Sequence, residues 1–310
     1  MDKYKGLVMR STGSWYDVRT EEGEIIQCRL KGKFKIKGLK VTNPIAVGDN
    51  VIFEPEDEVR NTGIIVEILP RENYIIRKSV HKTGHGHLLA SNIDQAVLIV
   101  TLTFPRTSLG FIDRFLVAAE SFRIPTVIIF NKLDLLEEEQ VQYQKELKDL
   151  YESLGYPCLM TSATNEIGIE AFREILSHKV SLISGHSGVG KSTLINKISP
   201  TLNLPTSNVS TFANKGVHTT TFAEMFELST NTYIIDSPGI KELGLADIEP
   251  EEINHYFPEI FELKSDCKFH NCMHLDEPAC AVKKAVNEGK IAGSRYISYL
   301  SMVEGEDNRK

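Results

Sequence analysis

The chain has 310 residues with a formal net charge of −7, 41% hydrophobic and 25% charged residues, a composition that excludes a disordered or strongly polybasic protein. Its length exceeds what one core comfortably covers and predicts two or three domains. No apolar run reaches the roughly 18–20 residues that span a bilayer, and the start MDKYKGLVMRSTGSWYD lacks the apolar middle of a secretory signal, so a cytoplasmic protein is expected.

Residues 1–80 predict a β domain. Short alternating segments (GLVMRS, YDVRT, IIQCRL, FKIKG, NVIFEP, GIIVEIL) are separated by turn signals such as EEGE and NPIAVGD. Such strands suit a small closed barrel, of which the OB-fold is the commonest nucleic-acid-binding version and SH3-like barrels the alternative. Within it, RLKGKFKIKGLK carries six basic residues and no acid. Lys31, Lys33, Lys35 and Lys37 recur with period two and would share one strand face, either as a solvated edge or as a stripe along a phosphate backbone. Residues 81–92, HKTGHGHLLASN, read as a Gly/His-rich linker whose His81, His85 and His87 make a cationic connector rather than a metal site.

From Ile93 to 246 the rhythm becomes strand–helix alternation. QAVLIVTLT, PTVIIF, PCLMTSA and VSLISG are uniformly apolar and alternate with helical stretches near 112–122, 137–154 and 166–177, which predicts a parallel α/β sheet covered on both faces. AEMFEL and YIID close it as a hairpin-like pair. Residues 247–310 are helical around a Cys-rich segment.

Residues 185–192, GHSGVGKS, satisfy G-x-x-x-x-G-K-[ST] between an apolar strand and an amphipathic helix. Gly185, His186, Ser187, Gly188, Val189 and Gly190 form a turn whose N–H groups can point at phosphates. Lys191 would neutralise β/γ charge, Ser192 would ligate Mg²⁺, and Thr193 continues the helix N-terminus. Four further segments select the nucleotide. NKLD ends a strand and places Asp134 to accept from guanine N1–H and N2–H₂, Asn131 to serve the N7/O6 edge and the Lys132 stem to lie over the ring. TSA places Ser162 and Ala163 beside guanine O6. DSPG supplies Asp236 for the Mg²⁺ shell and Gly239 for the γ-phosphate, and KGVHTTT supplies Thr220, or alternatively Thr219, for Mg²⁺. Together these imply GTP–Mg²⁺ as the ligand. Their order, NKLD and TSA before GHSGVGKS, HTT and DSPG, is that of a circularly permuted GTPase, allowed because domain termini lie close together.

Three of the five cysteines fall within 267–280, in CKFHNCMHLDEPAC. Without a secretory signal they predict a closed, structural Zn²⁺ site made by Cys267, Cys272, Cys280 and either His270 or His274. In so small a segment the metal would supply much of the folding free energy, so a chelator is expected to unfold it. Cys28 and Cys158, in apolar strands, read as core residues.

The permuted motif order, the N-terminal small barrel and the C-terminal Cys/His cluster resemble the ribosome small-subunit-dependent GTPases, the RsgA family, over essentially the whole chain. The resemblance implies an OB-fold, a permuted GTPase domain and a zinc domain in which His274 is the imidazole ligand. It implies a monomer that binds the 30S subunit through rRNA late in assembly and hydrolyses GTP there to leave, slowly alone and faster on the subunit. It also makes His218 the residue that orients the attacking water, because the position after DSPG is Ile240, which can neither donate nor accept. His186 stands where the family carries glutamine.

Overall fold

The computed structural model describes residues 2–32, 41, 43–57, 61–78, 86–204, 223–236 and 248–306. Lys33, Lys35, Lys37, His81, His85, His218, Thr219, Thr220, Gly239 and Ile240 lie outside the described residues. The chain divides into two compact units. One comprises Met1–Ala96, Phe172–Ser184 and Ser192–Glu242, the other Val97–Ala171, Gly185–Lys191 and Leu243–Lys310.

In the first unit, β1 (Tyr4–Ser11), β2 (Tyr16–Thr20), β3 (Ile25–Leu30), β4 (Asn50–Asp57) and β5 (Thr62–Ile68) run in the order β1-β2-β3-β5-β4. β4 also pairs with β1, and β3 with β5 in parallel, so the sheet closes into the OB-fold barrel. Alternation drives the closure. Val8, Tyr16, Val18, Cys28, Val51, Phe53 and Ile65 point inward and together with Ile45 form one buried core. Lys31 directly follows β3, its ammonium 3.7 Å from the Glu54 carboxylate.

Residues 86–91, expected within a linker, form strand β7 (Gly86–Ser91), antiparallel to β6 (Tyr74–Lys78). Leu88, Leu89 and Ala90 are buried there. At its end, the Ser91 hydroxyl donates to Asp49, a fully buried carboxylate that also accepts from the Ala46 amide at 2.9 Å and from Arg71 Nε at 2.6 Å. Barrel and β7 are thereby fastened together. The same unit holds β11 (Val180–Ser184) parallel to β13 (Thr232–Asp236), which pairs antiparallel with β12 (Glu224–Ser229). β12 in turn meets β1, with Arg10 opposite Glu224.

The second unit takes in most of β8 (Gln95–Val100), α1 (Leu109–Ser121), β9 (Thr126–Phe130), α2 (Glu138–Ser153) and β10 (Cys158–Met160). β9 and β10 are parallel, and β8 and β9 are buried along their whole length, as strands covered on both faces are. It also holds α5 (Pro258–Leu263), α6 (Ala281–Asn287) and α7 (Gly293–Val303), preceded by a 3₁₀ turn at Pro250–Tyr256. Their core, built on Ile253, Phe257, Ile260, Val282, Ala285, Ile291, Tyr299 and Met302, includes Val117 from α1. The shared core joins residues expected in two domains, 93–246 and 247–310. Two short helices cross between β-strand segments: α3 (Ile169–Leu176) and α4 (Lys191–Ile198). Among the described residues no helix is long and apolar enough to cross a membrane.

Candidate nucleotide site and metal cluster

The segment Gly185–Gly190 bends between β11 and α4, and its end glycines are demanded by close approach. Gly185 has φ +139° and a Cβ there would lie 2.2 Å from the Ile99 carbonyl oxygen. Gly190 has φ +95°, and its Cβ would meet Asn131 Nδ2 at 2.4 Å. That amide is the brace of the loop: Asn131 is buried, donates to Val189 O at 2.8 Å and accepts from Thr161 Oγ1 at 3.0 Å. Asn131 thus ties the end of β9 to the phosphate loop, a role the base-edge reading of the sequence did not include. Lys191 folds its ammonium back onto Gly185 O and His186 O, at 2.7 Å each. The His186 ring packs on Phe111 of α1, with centroids 3.9 Å apart, so the loop is also held from the helix side.

On the base side, Lys132 adopts the left-handed region (φ 65°) at the turn after β9, and its ammonium donates to Phe104 O at 2.5 Å. Asp134 accepts from the Ser162 hydroxyl, which itself accepts from Asn165 N at 3.1 Å. The Ser162 amide donates to Ile167 O, and Ala163 follows it, buried. NKLD, TSA and GHSGVGK therefore meet in this unit through a continuous set of bonds: Asp134 to Ser162, Asn131 to Thr161 and Val189. In the first unit, Ser192 and Thr193 begin α4, and Asp236 ends β13 opposite Ile183 of β11. Phe104, Phe111 and Thr161 were not found from sequence. Phe104 and Phe111 belong to no nucleotide motif, and Thr161 opens the TSA segment, of which only Ser162 and Ala163 were given a role.

The C-terminal helices hold a second constellation. The ligand atoms of Cys267, Cys272, His274 and Cys280 lie within 4.8 Å of one another. His274 Nδ1 is 3.4 Å from Cys280 Sγ and 3.6 Å from Cys267 Sγ, and these two sulfurs are 3.9 Å apart. That spacing is far beyond a disulfide bond, and all five cysteines are free thiols. Three soft donors and one imidazole converging in a buried pocket fit a structural metal ion. His274 is fully buried, whereas His270, its rival on spacing, is exposed and outside the cluster. The loop is shaped around it. Glu277 accepts from Met273 N and Leu275 N at 2.7 and 2.8 Å, Tyr296 donates to His274 O at 2.6 Å and Tyr299 to Met273 O at 2.8 Å. Of the other cysteines Cys28 is buried and Cys158 half-buried, and burial pushes both thiols up to about 12.

A closed OB barrel, a phosphate loop placed after its guanine-side strands, and a Cys₃His cluster define a circularly permuted P-loop GTPase. Residues 5–65 match the family profile of the RsgA N-terminal domain and residues 68–246 that of the RsgA GTPase. The chain belongs to the RsgA GTPase family. It is 53% identical over 305 residues to the small ribosomal subunit biogenesis GTPase RsgA of Christiangramia forsetii, covering 98% of this chain and 97% of that one. The RsgA of Bacteroides fragilis is 51% identical over 306 residues, 99% and 98% of the two chains. The crystal structure of YjeQ from Thermotoga maritima superposes with a TM-score of 0.79 at 38% identity, covering all of both chains. YloQ, described as a circularly permuted GTPase, superposes with a TM-score of 0.76 at 31% identity, covering 100% of this chain and 96% of that one.

Proposed function

We propose that this GTPase acts in biogenesis of the small ribosomal subunit, binding the 30S particle through rRNA late in assembly and leaving it on GTP hydrolysis. The observation that carries the reading is the bonded frame joining Asn131, Asp134, Ser162 and the phosphate loop, in a chain about half identical to named subunit-biogenesis GTPases over nearly its full length. Asp134 selects guanine because its carboxylate accepts two donors that adenine lacks, and the Ser162 hydroxyl holds that carboxylate in place. With the Ser162 amide committed to Ile167, the Ala163 amide is the donor for guanine O6. Gly185 to Thr193 cradle the phosphates, and Lys191 exchanges its two loop carbonyls for phosphate oxygens.

Ser192, Thr220 and Asp236 offer hard oxygen donors suited to Mg²⁺, which would neutralise charge on the β/γ oxygens. The Cys₃His cluster fits Zn²⁺: tetrahedral bonds of about 2.3 Å to sulfur and 2.0–2.1 Å to nitrogen imply ligand separations of roughly 3.5–3.8 Å, close to those between the Cys267, His274 and Cys280 donor atoms. His218 orients the attacking water, the task Ile240 is chemically unable to perform. Phosphoryl transfer is mostly positioning, so a partner that places His218 against the attacking water accelerates it. The protein works in the cytoplasm as a monomer.

Turnover measured with purified 30S and 50S subunits tests this. The 30S subunit should raise GTP hydrolysis by orders of magnitude and the 50S subunit should not. His218→Ala should remove most of the gain while nucleotide binding persists. Equal rates with and without 30S subunits would refute the coupling.

A further inference from the structure

In the guanine reading the Lys132 stem lies over the base, and a lysine is poorly suited to hold one position. Its long stem has many rotamers, and freezing them opposes any single placement. In this chain the stem is stretched across three segments. It leaves the turn after β9, passes 4.0 Å from where a Cβ on Gly190 would stand, and ends on the Phe104 carbonyl at 2.5 Å.

Phe104 belongs to the loop Thr101–Thr107 between β8 and α1, which is closed on itself. Thr107 N donates to Thr101 O at 2.9 Å, Thr101 N donates to Thr107 Oγ1 at 3.2 Å, and Thr101 Oγ1 donates to Pro105 O. Both threonines are buried, while the Phe104 side chain is 75% exposed, so the clasp and not the ring anchors the loop. Pro105, the residue after Phe104, faces the phosphate loop, where a Cβ on Gly188 would lie 3.4 Å from Pro105 Cδ. The loop thus spans from the phosphate loop to the lysine ammonium.

We propose that the Thr101–Thr107 clasp is a positioning element for guanine nucleotides that acts through Lys132, holding its ammonium on the Phe104 carbonyl so that the stem lies preset across the base. The proposal rests on the guanine reading given above. A preset stem contributes affinity by removing an ordering cost at binding, not by adding a contact. A clasp serving only the fold would weaken nucleotide binding whether or not Lys132 were present.

The dissociation constant of mant-GDP, measured on the full chain, separates the two. Four proteins suffice: the unaltered chain, Thr101→Val with Thr107→Val, Lys132→Met, and the combination. The valine pair should weaken binding about 10-fold with Lys132 present and by less than about 2-fold in the Lys132→Met background. Equal fold-losses in both backgrounds overturn the proposal. If circular dichroism shows that the valine pair is unfolded, Pro105→Gly, which relaxes the backbone beside the Phe104 carbonyl, is measured in the same cycle with the same expectation. Asp134→Asn with xanthosine diphosphate is the separate arm. No shift toward the xanthine nucleotide refutes the guanine reading itself. A shift together with an additive cycle refutes the clasp alone.

Discussion

At Gly190 the phosphate loop and the guanine-side turn come closest, because a single hydrogen atom stands where any side chain would meet Asn131 Nδ2 at 2.4 Å. Gly190→Ala would therefore do two things. It would force an alanine into φ +95°, costing on the order of 1–3 kcal/mol, and it would push Asn131 off Val189 O. The expected outcome is a lower melting temperature and GDP affinity reduced by more than tenfold, read by calorimetry and titration. An alanine chain that binds GDP normally would show that the brace is dispensable. The glycines were legible in the sequence because their need is chemical, a backbone that must approach phosphate. What they touch was not, since Asn131 and Ile99 approach them only through the sheet. Asn131 was read from the sequence as serving the base edge, and its buried amide also donates to Val189 O and accepts from Thr161.

Helix α1 shows how one element serves two neighbours. Phe111 packs on His186, and two residues on, Asp113 is fully buried and accepts from Arg295 Nη1 at 2.7 Å and from Tyr151 at 2.9 Å. Arg295, on α7, is 1% exposed, also donates to Glu259 at 2.7 Å and lies 4.4 Å over the Phe257 ring. Such a cluster holds the C-terminal helices to α1 by charge as well as by the Val117 contact. Arg295→Met would leave two carboxylates without their cation in the interior, at a cost of about 3–5 kcal/mol. Adding Asp113→Leu and Glu259→Gln should recover most of that loss, and urea unfolding of the single and triple variants measures both. Equal instability in the two would mean that packing rather than charge holds the joint. None of this was visible in the chain. IDRFLVAAESF reads only as an amphipathic helix, and Asp113 finds its partner 182 residues away. Strand β7 was missed for the reverse reason: glycines and histidines hid an apolar ladder that pairing with β6 makes evident.

Across the whole molecule, the question is what the metal cluster supports. From sequence, chelation is expected to unfold the small segment that carries the ligands. The structure shows what stands beside that segment. α5, α6 and α7 share Phe257, Ile260, Val282, Ile291, Tyr299 and Met302, a core larger than a zinc finger possesses, and Arg295 fixes α7 to α1. Cys272 and Cys280 line that core, but the segment 267–280 between α5 and α6 contains no helix longer than a turn and is held by its ligands, by Glu277 and by two tyrosine hydroxyls. Removing the metal should therefore release this segment while the three helices persist. Thiol alkylation with mass-spectrometric mapping reads it directly. Without chelator few thiols should react. With chelator Cys267, Cys272 and Cys280 should label, while Cys28 and Cys158, whose thiols burial holds at about 12, stay unmodified. Hydrogen exchange should rise in 267–280 and stay slow in α7. Fast exchange throughout α7 would instead make the metal the foundation of the whole region.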